Sequence, residues 1–83
     1  MKMICITFRS ITPAQQGQRY LRSRGVDVAL QRTPRWMEER GCGYCLRLRP
    51  ERLELAVELL REAGFSFSKI YAEENGDAVE LFL

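Results

Sequence analysis

An α+β sandwich, with two helices on one face of an antiparallel sheet, is the fold class this sequence predicts. Three observations predict it. Apolar residues alternate at a two-residue period in "MICITF" and "YCLRLR", a helical stripe runs through "PERLELAVELLREAG", and turn residues divide the rest. The resulting order is strand, helix, strand, strand, helix, strand, with a short extra strand at the end.

The opening strand places Ile4, Ile6 and Phe8 on one side and Met3, Cys5 and Thr7 on the other. A helix is expected over "SITPAQQGQRYLRSRG", with Thr12 as N-cap, Pro13 at the first helical position and Gly25 as terminator. Ala14, Gln18 and Leu21 share its stripe, and Gly17 weakens it. "VDVALQR" reads as a second strand with Val26, Val28 and Leu30 inward, and "TPRWMEERGCG" as a loop holding one helical turn. The third strand sets Tyr44, Leu46 and Leu48 against Cys45, Arg47 and Arg49. Pro50 opens the second helix, Leu53, Ala56, Val57 and Leu60 mark its buried face, and Gly64 closes it. "FSFSKIYAE" and "AVELFL" are strands joined by the turn "ENGD". The economical packing of this order is the ferredoxin-like βαββαβ sandwich, whose first and third strands are central neighbours. Cys5, Cys45, Arg47 and Arg49 then point to the face without helices.

At 83 residues, 46% of them hydrophobic and 29% charged, residues 1–83 read as one globular domain. Stability is modest at this size, and a homodimer is an expected way to add to it. No apolar run is long enough for a membrane span, and the N-terminus turns polar too early for a signal peptide, so a cytoplasmic protein with no membrane contact is expected. The net charge of +2 argues against a nucleic-acid partner, yet the cations are eleven arginines against two lysines. Arginine favours bidentate contacts with anionic groups.

Three cysteines and no histidine narrow the chemistry. An odd count in a cytosolic chain is no disulfide framework. One Cys-x-x-Cys knuckle without histidine does not complete a four-ligand zinc site, so no metal and no other cofactor is expected. A Cys42–Cys45 disulfide requires "CGYC" to be a turn, because an extended run separates the two Cα atoms by about 10 Å, and a disulfide spans at most about 7 Å. Cys42, between Gly41 and Gly43, has two readings: an activated thiol with Arg35 and Arg40 at hand, or a turn entering the strand. Cys5 reads as packing. Trp36 is either a cap on the core edge or part of a docking surface.

At "TPRWMEERGCGYCLRLRPERLELAVELLREAG" the chain resembles the selenium/sulfur carrier protein-like family of small bacterial domains of unknown biochemistry. The Pro34-Arg35 loop leading to Cys42-Gly43 carries the resemblance most specifically, and it extends over nearly the whole chain. Where the family loop carries serines, this chain has Glu38, Glu39 and Arg40. The resemblance implies a carrier rather than an independent enzyme. Cys42 would hold sulfur or selenium as a persulfide or selenopersulfide, and Arg35 and Arg40 would stabilise the terminal anion. Donor and acceptor proteins would be the partners, and Cys45 could act as a resolving thiol. The competing reading is a binding or regulatory module whose open sheet face, with Arg47 and Arg49, meets a protein or nucleic acid.

Overall fold

The structure is a computed structural model and describes residues 2–33 and 43–82. Within them the chain forms β1 (Met3–Phe8), α1 (Ile11–Ser23), β2 (Ala29–Arg32) and β3 (Tyr44–Leu48), then a 3-10 turn (Pro50–Arg52), α2 (Leu53–Glu62), β4 (Ile70–Glu74) and β5 (Asp77–Leu81). The five strands make one antiparallel sheet in the order β2-β3-β1-β4-β5. β1 and β3 are central neighbours, as the alternation predicts, and β5 extends the sheet beyond β4.

Period-two alternation sorts the sheet into two faces. Ile4, Ile6 and Phe8 of β1 join Leu46 and Leu48 of β3 and Ile70 of β4 in the core. Ala14 and Leu21 of α1, with Leu53, Ala56, Val57 and Leu60 of α2, close over them. All four α2 positions expected to be buried are buried. Fully burying an aliphatic side chain of this size contributes about 1.5–3 kcal/mol, so this layer supplies most of the driving force.

Three local features differ from expectation. First, α1 starts at Ile11 after an extended Ser10 (φ −144°, ψ 169°), so Ser10 and not Thr12 is the N-cap. Pro13 falls at the third helical position. It is tolerated there because the first four N–H groups of a helix have no intrahelical acceptor. Second, Val26 and Val28 are buried but precede the strand. Gln18 Nε2 donates to the Val28 carbonyl at 3.2 Å, so a helix side chain takes the place of a ladder partner. Third, β4 begins only at Ile70, while Phe65 and Phe67 pack partly buried against the helix-side core. Tyr20 meets Phe65 at 5.6 Å between ring centroids, and the Arg61 guanidinium sits 5.8 Å from the Phe67 ring.

Both helices end alike. Gly25 (φ 83°) lets the Val26 N–H reach the Leu21 carbonyl at 2.9 Å, and Gly64 (φ 80°) lets Phe65 reach Leu60 at 2.9 Å. The β4–β5 turn uses Asn75 and Gly76 at φ 53° and 85°, the doubly positive pattern of a two-residue hairpin loop.

Gly17 has a packing reason that composition does not reveal. It is the buried point where α1 approaches the sheet. A Cβ there would lie 3.4 Å from both Leu46 Cδ1 and Phe8 Cζ and 3.6 Å from Leu60 Cδ2. Gly17→Leu should therefore destabilise the fold by about 1–3 kcal/mol through overpacking, read as a lower midpoint in chemical denaturation. An unchanged midpoint would show that the helix can lift off the sheet without cost.

Candidate functional site

The face of the sheet without helices carries a second, smaller cluster, formed by Cys5 and Cys45 with Tyr71 and Ala78 packed against them. The register explains it. Cys5 is paired with Arg47 and Thr7 with Cys45 across the β1–β3 ladder, so the two cysteines are diagonal neighbours on one face. Tyr71 lies opposite Cys5 on β4, and Gln31 lies opposite Cys45 on β2. Both cysteines are free thiols with 0% exposure. Sequence reasoning put them on this face and treated Cys5 as packing; the diagonal contact is what it missed. The β1/β3 adjacency, combined with the alternation, could have found it.

The two thiols share a hydrogen bond that splits their acidities. Donation from Cys5 lowers the Cys45 thiol to about 7 from the ordinary 9.0, against burial, with Gln31, Thr33 and the Arg47 charge helping. Cys5 moves strongly upward, first because it holds that hydrogen bond and then because it is desolvated, with Cys45 and Glu73 adding negative potential. One proton leaves the pair easily and the other is retained.

Arg47 is fastened beside the pair. Its Nη2 donates to Glu73 Oε1 at 3.0 Å, bridging β3 to β4 over the face. The Thr33 hydroxyl has the Cys45 sulfur as its neighbour and favours its thiolate. Among the described residues, the buried Arg47 Nε has no hydrogen-bond partner. Leaving such a donor unsatisfied typically costs about 1–3 kcal/mol, so its place beside the pair requires an account. Thr7 shows the contrast: its hydroxyl donates to the Lys69 carbonyl at 3.2 Å and accepts from the Lys69 N–H at 2.9 Å.

The remaining expected site residues divide. Cys42, Arg35, Arg40 and Gly41, and with them Trp36, lie outside the described residues. Gly43 is buried, and its carbonyl accepts the Thr33 N–H at 2.9 Å, which joins the residue after β2 to the residue before β3. Cys45 and Arg47 are on the open face. Arg49 follows β3 and is exposed, at a cleft it shares with Arg22, Asp27, Arg47 and Arg52. The Arg19, Arg22 and Arg24 run is exposed on α1, with Arg24 5.4 Å from the Tyr20 ring. Among the described residues no three His, Cys, Asp or Glu side chains converge as metal ligands, and no helix is long and apolar enough to cross a membrane.

With this geometry in place, the comparison with known families is informative. A family model described as "Putative Se/S carrier protein-like" matches residues 3–72, from the start of β1 into β4. The chain belongs to this Se/S carrier-like family. No curated protein and no solved structure matches it. The matched span includes Cys42 and both halves of the Cys5–Cys45 pair. In this Se/S carrier-like chain, two of the three cysteines thus lie under the side chains of the open face.

The acidity split is directly measurable. In a Cys42→Ser variant, thiolate absorbance should rise in a single step centred at about pH 7, from Cys45, while Cys5 stays protonated. The sign is fixed by the acid: below the step Cys45 is a thiol and inert, above it a thiolate and reactive. Adding Cys5→Ala should move the step toward the ordinary cysteine value, because the donated hydrogen bond is gone. A step that ignores Cys5 would show that the pair does not communicate.

Proposed function

We infer that the chain is a small carrier that holds sulfur or selenium on a thiol and exchanges it with donor and acceptor proteins. We read it as a single carrier domain over residues 1–83, a ferredoxin-like sandwich extended by one edge strand. The observation that carries this reading is the burial of Cys5 and Cys45 within a member of a carrier-like family. A protein donor must bring its own cysteine within bonding distance of the accepting sulfur. A thiol with 0% exposure does not offer that approach. Of the three cysteines, Cys42 is then the one that trades with other proteins, and its neighbours Gly41 and Gly43 carry no side chains.

Arg35 and Arg40 stabilise the anionic terminal sulfur by charge, as guanidinium groups stabilise any thiolate. The transfer conserves electrons. The Cys42 thiolate attacks the terminal sulfur of the donor's persulfide, one S–S bond forms as another breaks, and the donor thiolate leaves. Cys45 as a resolving thiol fits less well, since it is sealed in β3 and faces Cys5. The alternative of a sheet-face binding module is supported no better, because Arg47 is held by Glu73 and only Arg49 of the two is exposed.

The test is loading from a macromolecular donor. With a cysteine desulfurase and free cysteine, the wild-type chain should gain about 32 Da, one sulfur atom, on the peptide containing Cys42. Cys42→Ser should lose the transfer with an unchanged thermal midpoint. Equal transfer to the variant would eliminate the carrier assignment to Cys42.

A further inference from the structure

We propose that Cys45 and Cys5 form a second sulfur-accepting site, one that takes a sulfane sulfur from small polysulfide or hydropersulfide anions and holds it under the open face of the sheet. The proposal deepens the carrier reading but does not depend on Cys42. It stands on the diagonal thiol pair and on the donors gathered around Cys45, of which Arg47 Nε has no hydrogen-bond partner among the described residues.

Around Cys45 the open face is built of donors. Gln31 lies across the ladder on β2, Thr33 on one side along the strands, and Arg47 two residues on along β3. Thr33 is 6% exposed and its hydroxyl is turned to the Cys45 sulfur, and the buried Arg47 Nε has no hydrogen-bond partner among the described residues. Cys5 supplies an S–H toward Cys45. Glu73 adds negative potential at the pair, and it is already occupied by Arg47 Nη2. The site has more donors than acceptors. An added anionic sulfur on Cys45 corrects that imbalance. Thr33 and Arg47 lie on opposite sides of Cys45 along the strands, so the new atom has a donor in either of those directions.

The step balances without an outside oxidant or reductant. The Cys45 thiolate attacks the terminal S–H sulfur of a hydrogen polysulfide anion. A bond forms between Cys45 Sγ and that sulfur, the adjacent S–S bond of the donor breaks, and the shortened polysulfide leaves with the electron pair. The proton stays on the transferred sulfur and passes to solvent as the persulfide ionises. Cys5 remains a thiol and donates to the product.

Cys5 also does not consume what it holds. Diagonal positions in an antiparallel pair have Cα atoms about 7–8 Å apart, and a disulfide tolerates up to about 7 Å. Attack by Cys5 on the Cys45 sulfur, which would expel hydrosulfide, therefore requires the central strands to shift. The cover decides the donor class. Among the described residues it consists of side chains, those of Tyr71 and Ala78 with the Arg47–Glu73 bridge on the same face. Side chains can part for an inorganic polysulfide and not for a protein.

The experiment uses the full chain carrying Cys42→Ser, exposed to sodium tetrasulfide at neutral pH, desalted, and analysed by intact and peptide mass. The expected result is a gain of about 32 Da on the peptide containing Cys45. Adding Cys45→Ala should remove it. Adding Cys5→Ala should slow loading about tenfold at neutral pH, because less thiolate is present. Peptide mapping of the Cys42→Ser chain locates the sulfur even if a double variant fails to fold. The proposal is overturned if Cys42→Ser takes up no sulfur while the wild type loads on Cys42, or if the sulfur maps to Cys5. Transfer from the desulfurase is a separate readout that depends on Cys42, so the two readings fail separately.

Discussion

The pairing of β1 with β3 is the constraint from which the rest of the molecule follows. The two strands are central, and every residue on them is committed to one face by a two-residue period. Ile4, Ile6, Phe8, Leu46 and Leu48 have to face the helices, because no other surface of this small chain can bury them. That demand sends Cys5 and Cys45 to the opposite face together. Slipping the ladder by one residue would bring the cysteines into the apolar core and expose five large side chains. The thiol pair is held by the hydrophobic core behind it, not by its own contacts.

A face without helices normally meets water. Here Cys5 and Cys45 are buried, and among the described residues Tyr71 and Ala78 from the β4–β5 hairpin pack against them while the Arg47–Glu73 bridge crosses the same face. β5 matters in this respect. It adds Ala78 to the patch and is itself held to β4 by a tight Asn75-Gly76 turn. The extra strand at the chain's end is therefore part of the thiol environment as well as a sheet edge. Desolvation alone would raise both thiols. Their mutual hydrogen bond overrides it for Cys45 and adds to it for Cys5, which is why two chemically equal groups end up with opposite shifts.

Much of this was legible in the residues, and the misses share a cause. The alternation in "MICITF" and "YCLRLR" located β1, β3 and their faces, and the α2 stripe was read residue for residue. Local rules failed where tertiary contacts overrode them. Gly17 reads as a weak helix position by propensity and is a close-packing position in fact. Val26 and Val28 read as strand because they are apolar and alternate, but the helix side chain of Gln18 claims the Val28 carbonyl. Phe65 and Phe67 share the alternation of Tyr71, and only Tyr71 is in a strand. The Cys-x-x-Cys spacing drew attention to Cys42 with Cys45, whereas the partner that Cys45 touches is forty residues away in sequence. Spacing along the chain cannot display a contact made by register.

Thr33 stands at the edge of the thiol pair. Its N–H bonds the Gly43 carbonyl and so pins the end of β2 to the residue before β3, while its hydroxyl borders Cys45 and favours its thiolate. A negative charge on Cys45 draws on that hydroxyl. Ionisation at the buried pair is therefore felt at the residue that holds the ends of these two strands together.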